Sequence, residues 1–375
     1  MAQRGEEQGS FQLPAGFSSY LDLIRFLAAI AVVCEHFGFP RFGAVAMPYG
    51  LGHAAVMVFF VLSGYVIHYV ADTREPTVVL FAASRIARIY SVVIPALFFT
   101  ILIDILLEYF GQQGEVRAYQ LTAPWKYLPF FLLFMSDFWF LHEEVFSNAP
   151  FWSLSYEVWY YVAFALFFYL RGRPRTVLIV ILALVVGPRL WLLFPLWALG
   201  AWIYQAHRAD DRPAGRRMSR GLAFVIFCAS LAGLCAFIGF GINQQLDVLA
   251  DRMSGGTLGL YLRRSQFLLA DFFLGILIGA NIFAARYCGF NFKILSPAIG
   301  FLAGNSFTIY LMHLPLMEFY ALICGLKGVP LFAATFMSAL LFGMAIEHRK
   351  RPLRQRLLAL WAHSRPAVDK VPVDP

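Results

Sequence analysis

Long apolar stretches follow one another along almost the whole chain, separated by short polar or Gly/Pro-rich segments. Each is close to the roughly 20 residues that an α-helix needs to cross a bilayer. Backbone groups in hydrocarbon must be hydrogen-bonded within the protein, so the spans are helices, and the continuous runs lack the alternation typical of a β-barrel. Since 60% of the 375 residues are hydrophobic and only 14% are charged, an ordinary water-soluble domain is excluded. The prediction is an all-α, polytopic helical bundle in a membrane.

We predict about ten transmembrane helices within residues 19–346. A polar N-terminal tail at 1–18 and a basic C-terminal tail at 347–375 flank this membrane domain. The segment 124–140 is apolar but short, aromatic and interrupted by Pro129, so we expect it to be re-entrant or interfacial rather than a crossing.

Two local patterns refine this picture. Two short helices are expected at 176–193 and 195–206, with the chain breaking just before Pro195. In the second apolar block, Ser63 and Gly64 form a small-residue notch, at which another helix or a substrate can approach closely.

The distribution of positive charge predicts the orientation. With a cytoplasmic N-terminus, 21 of the 30 lysines and arginines fall on the cytoplasmic side and 8 on the other. Counting 124–140 as a crossing would move the arginine-rich loop at 207–220 outside, against the positive-inside rule. We therefore expect both termini in the cytoplasm and the bundle in the inner (plasma) membrane. The net charge of +8 reflects this asymmetry, and no nucleic-acid partner is predicted.

The five cysteines stand in no metal-like spacing and fall mostly within or at the ends of apolar segments. Neither a metal site nor a disulfide framework is expected from them. The first apolar segment is too long for a cleavable signal peptide, so the first helix is expected to be its own insertion signal.

The first apolar segment, LDLIRFLAAIAVVCEH at 21–36, carries ionisable groups that a bilayer interior does not tolerate cheaply. Arg25 and His36 are eleven residues apart, which places them on one helix face about 16 Å apart along the axis. The simpler interpretation of each alone is a snorkelling arginine and an interfacial histidine. Together on one face, they favour a path through the protein.

A second basic group lies at the predicted start of the third helix. Arg85 and Arg88 are three residues apart, on the same side as Arg25. Arginine pairs of this kind bind phosphate groups through charge-assisted hydrogen bonds, as in a diphosphate-bearing cofactor. The alternative is that both residues anchor the cytoplasmic end of a helix.

Trp152, Ser153 and Glu157 begin a helix on the side where His36 is expected. Glu157 either complements the helix dipole, or orients the imidazole, or binds sugar hydroxyls beside the aromatic Trp152. Glu35 is a weaker candidate, because its side chain points about 100° away from that of His36.

His313 lies in a late apolar block, one turn after Tyr310. An ionisable residue in a span is a functional candidate, although Pro315 also frees backbone carbonyls that His313 or Tyr310 can satisfy. Four other histidines near span ends are interpreted as ordinary interfacial rings: His53, His68, His142 and His207.

Four ordered motifs together resemble the acyltransferase 3 family of membrane-bound acyltransferases. They are the R-x10-H pattern at 25–36, VFFVLSGY at 58–65, RIARIY at 85–90 and FWSLSYE at 151–157. The resemblance implies an acyl-CoA donor, most often acetyl-CoA, and transfer of its acyl group to a hydroxyl of an extracytoplasmic carbohydrate.

The resemblance and the residues together assign roles. His36 is the general base or transient acyl carrier, with Glu157 as its catalytic partner. The CoA is expected on Arg25, Arg85 and Arg88. The acceptor is expected at four residues: Trp152, Ser153, Tyr310 and His313. No metal is predicted, and the partners are membrane lipid and the glycan acceptor.

A transporter or flippase is the alternative, because intramembrane charges on a shared face and short broken helices also describe substrate pathways. Transporter folds often show related halves, and none is visible in this sequence.

Overall fold

The structure is a computed structural model that describes residues 11–42, 46–112, 118–139, 141–211, 218–257, 262, 265 and 267–363. The described residues form α-helices and their connections, without a β-strand. The helices are α1 (Ala15–Phe37), α2 (Leu51–Thr73), α3 (Val78–Tyr109), α4 (Ala118–Thr122), α5 (Pro124–Leu132), α6 (Trp152–Tyr169), α7 (Gly172–Val186), α8 (Pro188–Asp210), α9 (Arg220–Gly239), α10 (Ile242–Met253), α11 (Leu268–Ala285), α12 (Ser296–Glu318), α13 (Gly328–Ile346) and α14 (Lys350–His363).

Within the described part of the chain, seven helical stretches are long and apolar enough to cross a membrane. They are α1, α2, α3, α9, α11, α12 with its π-helical continuation to Ile323, and the stretch 328–362. The all-α polytopic bundle is thus confirmed, while the expected number of about ten crossings remains a prediction.

The helices differ in how much of their surface the bundle covers. Nearly every residue of α12 from Asn305 to Glu318 is buried, whereas α9 exposes Leu222, Phe224 and Val225. A helix that is apolar all round and enclosed belongs to the centre, and one whose apolar side chains stay exposed faces lipid. α1 packs against both α12 and α2, and Phe59 of α2 contacts Tyr310 of α12.

The notch predicted at Ser63 and Gly64 receives a helix. α2 and α8 pack so closely that a Cβ atom on Gly64 would overlap the carbonyl oxygen of Trp197. Reciprocally, a Cβ on Gly200 would overlap the carbonyl oxygen of Val61. Paired glycines therefore set the distance between these two helices, as small residues do between membrane helices.

The expected break before Pro195 is wrong. The chain breaks at Gly187, whose φ of 80° favours glycine and which separates α7 from α8. Pro195 lies inside α8, where the bundle around it tolerates the lost backbone hydrogen bond.

The segment 124–140 begins with the nine-residue helix α5, too short to cross a bilayer. Turns follow it, with positive φ angles at Phe134 and Trp139, and Phe140 lies outside the described residues. The Tyr90 hydroxyl donates to the carbonyl of Leu132 (2.7 Å), and the Trp159 indole donates to that of Phe134 (3.0 Å). The segment is thus tied to α3 and α6, and its re-entrant or interfacial position stays a prediction.

Candidate active site

Three arginines converge on one small cavity in the bundle, with a volume of about 70 Å³. Arg25 reaches it from α1, and Arg85 and Arg88 reach it from α3. We call this the arginine cavity. Its other polar lining residues are Ser63, Ser153, Glu157, Tyr161, Ser306 and Tyr310. The fold therefore brings together three arginines that the sequence placed only on the same side of the membrane.

The three guanidinium groups are engaged to different degrees. Arg25 pairs with Asp22 one turn earlier in α1 (3.0 Å), and Arg85 pairs with the buried Glu75 (2.9 Å). Arg88 makes no ion pair within the part of the chain that the structure describes. Its five donors are thus the ones most available to an anion entering the cavity.

Glu157 lies with the arginines and not with His36. Its carboxylate accepts hydrogen bonds from the Ser63 hydroxyl (3.0 Å) and from the Tyr161 hydroxyl. Both donors line the arginine cavity. The carboxylate is thus held on one wall of that cavity, opposite in charge to the guanidinium groups. The described contacts of Glu157 do not include the imidazole of His36, whose orientation was one of the roles that the sequence left open.

A second cavity, of about 180 Å³, contains His36. We call it the histidine cavity. Its other polar or aromatic lining residues are Glu35, Phe39, Tyr49, His53, Trp152, Phe267 and Tyr310. Val56 and Tyr310 line both cavities, so the two adjoin at these side chains.

Tyr310 is fixed at this junction by its hydroxyl group. It donates to the carbonyl of Pro150 (2.8 Å) and accepts from the Ser153 hydroxyl (2.8 Å). The ring also packs edge-on against Phe59. Any molecule that spans both cavities must therefore pass the Tyr310 side chain.

His36 and His313 form a hydrogen-bonded pair that fixes the proton positions on both rings. Nδ1 of His313 lies 2.7 Å from the carbonyl oxygen of Tyr310, so it carries a proton and leaves Nε2 as an acceptor. Nδ1 of His36 lies 3.2 Å from that Nε2 and 2.9 Å from the carbonyl oxygen of Val32. Both neighbours are acceptors, so the proton of His36 is on Nδ1 and its basic nitrogen is Nε2.

Comparison with protein-family models matches residues 18–348 to the acyltransferase domain of the acyltransferase 3 family. The match covers nearly the whole chain. The chain belongs to the acyltransferase 3 family. Neither the curated proteins nor the solved structures returned a significant match.

Membership of the acyltransferase 3 family makes this protein a multi-pass membrane acyltransferase. Both cavities lie inside the matched region, between helices that carry the four motifs of the sequence analysis. The R-x10-H motif contributes Arg25 to one cavity and His36 to the other.

Sequence reasoning missed one pair of residues at the histidine cavity. His53 lines it and is hydrogen-bonded to Asp271 of α11, although from the sequence we interpreted this histidine as an ordinary interfacial ring. A signal was present: Asp271 is a lone acid in the apolar run LLADFFLG, and such residues are rarely without function.

Proposed function

We propose that this acyltransferase moves an acyl group, in the first instance acetyl, from acyl-CoA to a hydroxyl of a cell-surface or exported carbohydrate. The observation that carries the proposal is the junction at Tyr310 between a cavity with three arginines and a cavity with a histidine of defined protonation. A long donor can leave its phosphates among the arginines and extend its thioester past the junction.

The charge of the arginine cavity favours this donor. Three guanidinium groups and one carboxylate line it, so its balance is positive, and guanidinium groups bind phosphate oxygens through charge-assisted hydrogen bonds. Arg88 is the foremost phosphate ligand in this proposal, with Arg25 beside it. Arg85 contributes charge while its pairing with Glu75 holds it in place.

His36 acts on the thioester or on the acceptor with Nε2. As general base, Nε2 takes the proton of the acceptor hydroxyl, whose oxygen attacks the thioester carbonyl; CoA leaves as the thiolate. As acyl carrier, Nε2 itself attacks the carbonyl, and the acceptor oxygen later displaces the imidazole. In both versions, the hydrogen bond from Nδ1 to His313 selects the neutral tautomer in which Nε2 begins the reaction without a proton.

The histidine cavity has the features expected of a carbohydrate acceptor site. Trp152 offers an aromatic face, and Glu35 and Tyr49 offer groups that pair with sugar hydroxyls. Ser153 and His313 act here mainly through Tyr310 and His36, to which they are hydrogen-bonded.

Replacing Arg88 with Gln is expected to weaken acetyl-CoA binding about 10- to 100-fold, because a charged hydrogen bond to phosphate is lost. Isothermal titration of purified protein measures the affinity. Arg88→Lys, which keeps the charge, should fall between wild type and Arg88→Gln. Arg74→Gln is the matched control, since Arg74 is exposed and lines neither cavity. Unchanged affinity in Arg88→Gln would return Arg88 to the role of a topological anchor.

We further propose that the protein lies in the inner (plasma) membrane with both termini in the cytoplasm, as the positive-inside rule predicts. Reporter fusions at residue 375 and in the loop at 207–220 should then both report the cytoplasm. Reports from opposite sides would show that the number of crossings between them is odd and that the treatment of 124–140 is wrong.

A flippase would use the same buried charges to move a substrate without chemistry. The family favours the acyltransferase, and consumption of acyl-CoA in the presence of an acceptor distinguishes the two.

A further inference from the structure

A second imidazole faces the histidine cavity and is paired with a carboxylate. His53, near the start of α2, places Nε2 2.9 Å from an oxygen of Asp271 in α11. His53 lines the cavity that contains His36. It also lines a smaller cavity, of about 20 Å³, that contains Asp271. His53 is thus one of the residues that separate Asp271 from the histidine cavity, and it is the one hydrogen-bonded to that carboxylate.

The hydrogen bond to Asp271 defines the protonation of His53. A carboxylate only accepts, so Nε2 of His53 carries the proton and Nδ1 is the basic nitrogen. A buried carboxylate that orients an imidazole in this way also stabilises the cation formed when the ring takes up a second proton, the logic of a catalytic triad. On His36, the corresponding nitrogen lies near the carbonyl oxygen of Val32 and the imidazole of His313.

Asp271 is more than a neutral tether between α2 and α11. Its side chain is fully buried, and its second oxygen has no hydrogen-bond partner among the described residues. Burying a carboxylate in an apolar helix is costly, and an amide would hold the two helices together without that cost. A negative charge at this position is stabilising when His53 becomes cationic.

The surroundings of His53 restrict the ring and keep it at the acceptor site. It stacks nearly parallel to Trp152 (10° between planes) and meets Phe267 edge-on. The other titratable groups facing this region are Glu35 of α1, Tyr49, and Asp247 of α10. Burial and the charge of Asp271 raise the pKa of Asp247 to about 6, and the Tyr49 side chain is hydrogen-bonded to it. Among the described residues at this edge, the acids Glu35, Asp247 and Asp271 favour a cationic imidazole during turnover.

We propose that the two imidazoles divide the reaction: His36 carries the acyl group, and His53, supported by Asp271, is the general base for the acceptor hydroxyl. The inference rests on the proposed function. To that function the proposal adds His53 as a catalytic residue and Asp271 as a positioning residue.

The acyl group passes from CoA to the acceptor by way of His36 in two steps. Nε2 of His36 attacks the thioester carbonyl, the C–S bond breaks and CoA leaves as thiolate, while the Nδ1 proton of His36 moves to Nε2 of His313. Nδ1 of His53 then takes the proton of the acceptor hydroxyl, whose oxygen attacks the acyl carbon and breaks the C–N bond. The proton on His313 returns to His36, and His53 releases its own to water.

Each half-reaction is measured separately on the full-length protein, the first on purified protein and the second in membranes. Radiolabelled acetyl-CoA without acceptor reports the first, as label retained on the quenched protein, and glycan acetylation in membranes reports the second. His53→Gln should keep the label and lose transfer at least about a hundredfold, the scale of general-base assistance. Asp271→Asn should lower transfer in the same half-reaction. His142→Gln is the matched control, because His142 also pairs with an acid, Asp137, but lines neither cavity.

The outcomes separate clearly. Retained label with lost transfer in His53→Gln, but no label in His36→Gln, supports the division. Near-normal transfer in His53→Gln overturns it, as does loss of both label and transfer, which would make His53 part of the donor site or the fold. Absence of label on the wild type while transfer proceeds also overturns it, since His36 is then no carrier. A wild type that neither labels nor transfers contradicts the proposed function itself.

Discussion

Replacing His36 with Gln is expected to reduce acyl transfer at least about a hundredfold, with acyl-CoA binding and the amount of folded protein unchanged. Nε2 of His36 is the basic nitrogen of the imidazole that lines the histidine cavity, and glutamine offers no group that titrates near neutral pH. Glutamine nevertheless keeps much of the size and hydrogen-bonding capacity of the ring, so the variant separates chemistry from packing. Transfer is measured as labelled acyl groups on the acceptor.

The control for this variant is again His142→Gln, which removes a histidine outside both cavities. Donor affinity from titration shows whether the arginine cavity is intact. Near-normal transfer by His36→Gln would contradict both catalytic roles and strengthen the flippase alternative.

Replacing Gly64 with Leu is expected to abolish accumulation of folded protein. The new side chain would enter the backbone of α8 at Trp197, which cannot move aside as a flexible side chain can. The cost therefore exceeds the ~1–3 kcal/mol typical of an overpacked core. Monodisperse yield in detergent and the thermal unfolding midpoint are the measurements.

Gly304→Leu is the matched control for Gly64→Leu. Gly304 also lies inside an apolar helix, α12, but a Cβ there meets no atom within 4 Å. Its yield should be close to that of the wild type. If Gly64→Leu folded equally well, the close approach of α2 and α8 would not be a determinant of the fold.

The features predicted well from the sequence are those set by local periodicity. Apolar runs of helical length predict the all-α bundle, and the eleven-residue spacing predicts that Arg25 and His36 share a face of α1. The small-residue notch at Ser63 and Gly64 predicts close packing, although the sequence alone left helix and substrate as alternatives. Such patterns can be recognised within the sequence of a single helix.

The features that were missed depend on which helices become neighbours. His53 and Asp271 are 218 positions apart, and only the packing of α2 against α11 makes them a pair. Trp152 lines the histidine cavity, whereas Glu157, little more than a turn later in α6, lines the arginine cavity. The sequence could not show that one helix borders two cavities. The break assigned to Pro195 failed because a bundle tolerates proline within a helix, whereas the φ angle of Gly187 requires a turn.

The proposed function is tested most directly by mass spectrometry of cell-surface glycans from strains with and without the gene. We expect removal of the gene to lower the glycan mass by one or more acetyl-sized units. The wild-type gene should restore these units, and the His36→Gln gene should not. Identical glycan masses in all strains, or equal restoration by His36→Gln, would contradict the central claim that this protein acylates an exported carbohydrate through His36.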